Sequence, residues 1–111
     1  MSNNSKLFEK LKLNNNIEVP GRLAVAPLSL YGIDDSGYLL DEERQYLQKR
    51  AKGIGLYILG AAVVSLEGVG LKGQPRVINE QDIPSLSERA KIIKDQGALA
   101  ICQIVHAGFW K

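Results

Sequence analysis

One cysteine, Cys102, and one histidine, His106, stand in 111 residues. A lone thiol cannot close an internal disulfide, and its isolation fits a reducing compartment. A lone imidazole with no Cys/His cluster supplies no set of metal ligands. Ser29 has no His/Asp constellation to make it a nucleophile. An excess of one charge is lacking too. Fourteen Lys and Arg face 12 Asp and Glu, for a formal net charge of +2, and the basic residues are scattered. That balance argues against nucleic acid as a partner. Long apolar runs are absent. The longest, from Leu56 to Leu66, is interrupted by Gly60 and Ser65 and is too short to span a bilayer. The opening MSNNSKLFEK has no apolar segment of the kind a signal peptide needs. The expectation is a cytoplasmic protein with no membrane partner.

What is present is an ordinary globular composition, 45% hydrophobic and 23% charged, in a length sufficient for one small domain. Residues 1 to 5 are polar and read as a frayed end. KLFEKLKL and NNIEVPGR flank the cluster Asn14 to Asn16, which predicts a short β-hairpin. RLAVAPLS predicts a first buried strand over residues 22 to 28. DEERQYLQKRAKG predicts a helix with Asp41 as N-cap, acids at its positive end, bases at its negative end and Gly53 as its stop. LYILGAAVVS, residues 56 to 65, reads as a second strand. Ser85-Leu86-Ser87-Glu88 has capping-box spacing, Leu86, Ala90 and Ile93 follow on one helical face, and Gly97 ends the helix. Residues 98 to 105 read as a third strand. Near-continuous apolar strands separated by amphipathic helices predict an α/β fold with parallel strands covered by helices.

Two details need explaining. Gly68-Val-Gly-Leu-Lys-Gly73 matches G-x-G-x-x-G after a strand, but Gln74-Pro75 follows and no helix can begin before about residue 84. The dinucleotide reading needs a helix to begin within the glycines, so this stretch is read as a flexible loop at a strand end. The second detail is Gln103, an amide inside the apolar run ALAICQIV. An unsatisfied buried amide costs about 1–3 kcal/mol, so it calls for a partner. Cys102, next to it, should face the opposite way, into the core beneath the helices. His106 is read as structural.

RLAVAPLS, LYILGAAVVSLEGVGLKGQP and AICQIVHAG, in that order and behind LFEKLKLNNNIEVPGR, resemble the N-terminal third of the old yellow enzyme family, the FMN-dependent NADH:flavin oxidoreductases. The resemblance runs from Leu7 to about Gly108. It implies an N-terminal hairpin plus a βαβαβ parallel segment of an incomplete (βα)8 TIM barrel, a single segment over residues 1 to 111 that breaks off after the third barrel strand. It implies FMN as cofactor, NAD(P)H as reductant, and hydride transfer through FMN to an electron-poor alkene or other acceptor. The partner is then a small-molecule substrate, with a homo-oligomer open to the complete protein.

Residue by residue, the resemblance assigns Ala26, Pro27, Leu28 and Ser29 to the stretch along the flavin. Ala61 is the small residue approaching the isoalloxazine, Gln103 the amide on its pyrimidine edge, and Tyr31 a substrate-pocket residue. This chain departs from the family at Gly60, where an acid is common, at Ala62, where Thr or Ser is frequent, and at Phe109, where Arg is usual. The family's substrate-binding His/His or His/Asn pair, its proton-donating Tyr and its phosphate-binding Arg have no counterpart among these residues. Two other readings stand beside this one: an inactive fragment with no turnover of its own, and a small independent α/β binding domain without catalysis.

Overall fold

The computed structural model describes residues 4–30 and 35–108. Tyr31 and Phe109 lie outside the described residues. After a 3₁₀ turn over Asn4–Phe8, β1 (Leu11–Lys12) and β2 (Glu18–Val19) pair antiparallel, Leu11 with Val19 and Lys12 with Glu18. The Asn cluster makes the turn between them, with Asn16 at φ 66°, a conformation its short polar side chain tolerates. Then come β3 (Ala24–Val25), α1 (Asp41–Ala51), β4 (Leu56–Val63), α2 (Ile83–Asp95) and β5 (Leu99–Val105). The last three strands form one sheet in the order β3-β4-β5, both pairings parallel.

Both helices cover one face of this sheet. Leu47 and Ala51 of α1 and Ile93 of α2 close on Tyr57, Leu59 and Ala98, with Val25 and Ala100 beside them. By strand alternation Ala24, Ile58, Ile101 and Gln103 belong to the other, open face. The hairpin sits at the strands' N-terminal ends: Arg22 N–H donates to Leu7 O at 2.7 Å, and Gly21 packs against Gly55, just before β4.

Two cross-pairs tie the helices together. Arg89, 1% exposed, donates from Nε and Nη2 to Glu43 at 2.7 and 3.1 Å, and from Nη2 to Gly37 O at 3.1 Å. Beside it Arg44 donates to Glu88 at 2.6 and 3.0 Å. Neighbours in α1 thus pair with neighbours in α2.

The structure moves several predicted boundaries. The first strand pairs over two residues instead of seven, because Pro27 has no N–H to continue the ladder. Asp41 is the first helical residue rather than the cap; Leu40 holds the cap position, and the Asp41 carboxylate turns to Arg44. The helix read from Ser85 begins at Ile83 with Pro84 in its first turn, a place where proline is welcome. Its lead-in, a 3₁₀ turn over Glu80–Asp82, is capped by Asn79, whose Oδ1 accepts from Gln81 N–H at 3.0 Å, while Asp82 Oδ2 accepts from Ile78 N–H and Asn79 N–H at 2.9 and 3.2 Å. The Ser85 hydroxyl instead accepts from Leu39 N–H, 3.3 Å away, before α1. Gly53 and Gly97, both at positive φ, follow the two helices as expected. No helix among the described residues is long and apolar enough to cross a membrane.

Candidate functional site

The site is built at the C-terminal ends of the three parallel strands. β3 pairs Val25 with Tyr57, so three residues further along both chains Leu28 comes opposite Gly60. There the two main chains touch. A Cβ on Gly60 would fall on the Leu28 carbonyl, 2.9 Å from its carbon, and 3.2 Å from Ser29 Cα.

The next strand answers with an irregularity. Leu59 pairs with Cys102 and Ala62 with Ile104, so Gly60 and Ala61 together face the single residue Gln103. This is a β-bulge, which adds one residue to one strand and re-aims side chains locally. Its effect shows in burial: Tyr57 and Leu59 are buried, Gly60 and Ala61 only partly, and Ala62 and Val63 are again buried. Strict alternation from Tyr57 would send Ala61 towards the helices. The bulge gives that place to Ala62 and leaves Ala61 beside Gln103. Leu28, the Gly60–Ala61 pair and Gln103 therefore form one row across the sheet. Ala26 precedes Leu28 on the same face by alternation, and Pro27 and Ser29 flank Leu28 in the chain.

Gln103 is exposed, not buried as its apolar run suggests, because β5 is an edge strand here. Water can serve its amide, which has no hydrogen bond among the described residues. The row carries no charge, and its centre is glycine and alanine, so it is flat. Behind it, on the helix side, a cavity of about 190 Å³ lies between α1 and residues 28–30, with Tyr38, Tyr46 and Tyr57 in its walls.

The Gly-rich stretch is packed, contrary to the flexible loop expected from its sequence. A Cβ on Gly68 would lie 2.6 Å from the His106 ring, and one on Gly70 would lie 3.0 Å from Ala107 Cβ. The Gln74 side chain, buried, accepts from Gly70 N–H and Leu71 N–H at 2.9 and 3.0 Å and closes the loop on itself. Two of the three glycines in the G-x-G-x-x-G pattern thus serve contact with the His-Ala-Gly stretch after β5. His106 Nδ1 accepts from Gly108 N–H at 3.0 Å, which places the neutral ring's proton on Nε2.

Cys102 differs from expectation. It stands on the helix side, paired with Leu59, but it is exposed and not a core residue. Partial burial still pushes its thiol pKa up, against a smaller opposing pull from the Arg89 charge. Ala62, by contrast, is fully buried. That departure from the family concerns packing under the helices and not the open face. Arg89 does not stand out in the sequence, although its spacing carries a signal: it falls on the apolar stripe between Leu86 and Ile93.

A parallel βαβαβ layer thus carries small residues and an exposed amide at its C-terminal edge. A family model described as the NADH:flavin oxidoreductase / NADH oxidase family matches residues 6–110, and this chain belongs to that family. It is 34% identical over 102 residues to a probable NADH-dependent flavin oxidoreductase, YqiG, of Bacillus subtilis, covering 92% of this chain and 27% of the relative. It is 31% identical over 108 residues to an NADH:fumarate oxidoreductase of Klebsiella pneumoniae, covering 97% of this chain and 12% of that protein. Among solved structures, a 2-naphthoyl-CoA reductase complex superposes with a TM-score of 0.87 at 30% identity, over 96% of this chain and 16% of the other. Old yellow enzymes are further structural neighbours. The chain spans about a quarter or less of these proteins' lengths.

Proposed function

We propose that these 111 residues form the N-terminal portion of a (βα)8 barrel that binds FMN and carries out NAD(P)H-dependent reduction of an electron-poor alkene. The observation that carries the reading is the exposed Gln103 amide, without a protein partner among the described residues, facing the small pair Gly60 and Ala61 across the bulge. A planar ring fits against such a row, and one amide offers both the donor and the acceptor that a pyrimidine edge requires. Active sites on barrels of this kind lie at the C-terminal ends of the strands. That is where Ala26, Pro27, Leu28, Ser29, Ala61 and Gln103 stand.

FMN, when bound, supplies the two-electron chemistry, accepting a hydride from NAD(P)H and passing one to the acceptor. The chain's own residues bind and orient. Gln103 would hold the ring's pyrimidine edge, Ala61 and Gly60 would leave room for the ring beside them, and residues 26–29 would border it. Tyr31 is assigned to the substrate. Two relatives named for fumarate and acrylate, both electron-poor alkenes, support the acceptor class. The family's phosphate anchor and proton donor have no counterpart among these residues, so the segment holds one side of the cofactor and turnover belongs to a whole barrel. The small-molecule partner, the cytoplasmic setting and self-association of the whole protein are part of the same proposal.

The test is an FMN titration of the full-length protein and of Gln103→Leu. The strand is apolar, so the fold should survive. Loss of one or two hydrogen bonds, about 1–2 kcal/mol, should weaken FMN binding roughly five- to thirtyfold and lower the flavin reduction potential. Equal affinity and equal potential in the two proteins would make the amide structural and remove the reading.

A further inference from the structure

The flavin reading uses Gly60 only to leave room for the ring, which the small side chain of Ala61 also does. Backbone conformation does not explain a glycine there, since Gly60 is not among the glycines at positive φ. A glycine inside a strand weakens the strand and commonly marks a close approach of another backbone. That approach is visible here. The peptide between Leu28 and Ser29 occupies the space of a Gly60 Cβ. The approach falls where the β3–β4 ladder has already ended, so no ladder hydrogen bond holds residues 28 and 29 against β4. It also falls at the bulge facing Gln103. No hydrogen bond to the Ser29 hydroxyl exists among the described residues to fix it another way.

The geometry points to Gly60 as a positioning residue: by presenting no side chain, it lets the Leu28–Ser29 main chain settle against the bulge, and so sets where Ser29 stands relative to a flavin held by Gln103. As residues 28 and 29 stand in this chain, a side chain at position 60 would push them off β4. The register of β4 with β5 is untouched by that push, so the Gln103 side of the site stays in place while the Ser29 side moves. This assignment rests on the flavin reading and adds to it which contact fixes the first strand's end.

The test is a double-mutant cycle in the full-length protein with Gly60→Ala, Ser29→Ala and the pair, read by FMN dissociation constant, by the absorption spectrum of the bound flavin and by its reduction potential. Circular dichroism of the FMN-free proteins reports folding. In wild type, Ser29→Ala should weaken FMN about fivefold and shift the potential. In the Gly60→Ala background the same change should alter affinity less than twofold and leave the potential unmoved, because the hydroxyl is already displaced. If Gly60→Ala does not fold, Gly60→Ala with Leu28→Gly takes its place, since a glycine at 28 frees the main chain to move away from the added methyl group. Equal Ser29→Ala effects in both backgrounds, or none in either, overturn the assignment while leaving the flavin reading intact. Failure of wild type to bind FMN overturns both.

Discussion

Arg89 of α2 reaches Glu43 of α1 with two hydrogen bonds, at 2.7 and 3.1 Å, from a position only 1% exposed. A buried charge of this kind is costly to strand. Arg89→Ala should leave the Glu43 carboxylate and the Gly37 carbonyl without their donor and destabilise the protein by about 3–5 kcal/mol. Replacing both partners together, Arg89→Met with Glu43→Leu, should cost much less, because no unpaired charge remains. Urea denaturation of the three proteins checks the order.

Gly68 and His106 give a second expectation. Gly68→Ala puts a methyl group onto the imidazole, and overpacking of this sort costs about 1–3 kcal/mol. In a His106→Ala background the ring is gone, and the same methyl group should cost little. Thermal denaturation of the four proteins in the cycle decides this. Additive losses would show that the loop and the ring do not press on each other.

Tyr57 ties stability to pH. Burial between the helices and β4, with smaller contributions from Tyr46 and Glu43 against an opposing Arg50, raises its pKa from 10.0 to about 12. The unfolded chain loses this proton first as the pH climbs. Stabilisation from the neutral phenol is therefore whole below pH 10 and is lost as the pH rises from 10 towards 12. At most it amounts to about 2–3 kcal/mol. Tyr57→Phe should flatten the alkaline limb of the stability profile. A phenolate absorption titration of wild type should show one tyrosine ionising after the others.

The pattern of what the sequence disclosed follows from range. Strand order, parallel pairing and both helices were legible, because hydrophobic period and helix stops are local. The bulge was not. It exists only as a mismatch between β4 and β5, strands whose pairing no single window of sequence contains. Gln103 stood out as an amide in an apolar run, whereas its position facing Gly60 and Ala61 depended on that mismatch. Arg89 was passed over because an arginine on an apolar stripe reads as a solvated residue until its partner, 46 residues away in sequence, is known. The Gly-rich loop reads as slack in sequence because its contacts are with His106 and Ala107, beyond α2 in the chain.

The outer edge of β5 gives the last expectation. Ile101 is 44% exposed and Ile104 65% exposed, on opposite faces of a strand that has no neighbour on that side among the described residues. Such an edge invites pairing with another chain. The isolated 111-residue polypeptide should self-associate and bind a hydrophobic dye, and Ile104→Lys should reduce both. Light scattering and dye fluorescence report the outcome. A dye-silent monomer that unfolds cooperatively would contradict it and favour a self-sufficient binding domain.

The two-against-one pairing at Gly60 and Ala61 also bears on how this sequence can change over generations. Substitutions elsewhere in β4 alter one side chain at a time. Losing either Gly60 or Ala61 leaves one residue facing Gln103, so the two-residue rhythm is restored and Ala62 still pairs with Ile104. Ala62 and Val63 keep their buried places. A missing codon here is thus a local shortening, whereas one elsewhere in β4 turns the residues on one side of it to the opposite face. In the exposed loop Asn14 to Asn16 the same loss trims a turn. Among descendants of this chain, length should therefore drift in the asparagine loop and, within β4, only between Leu59 and Ala62.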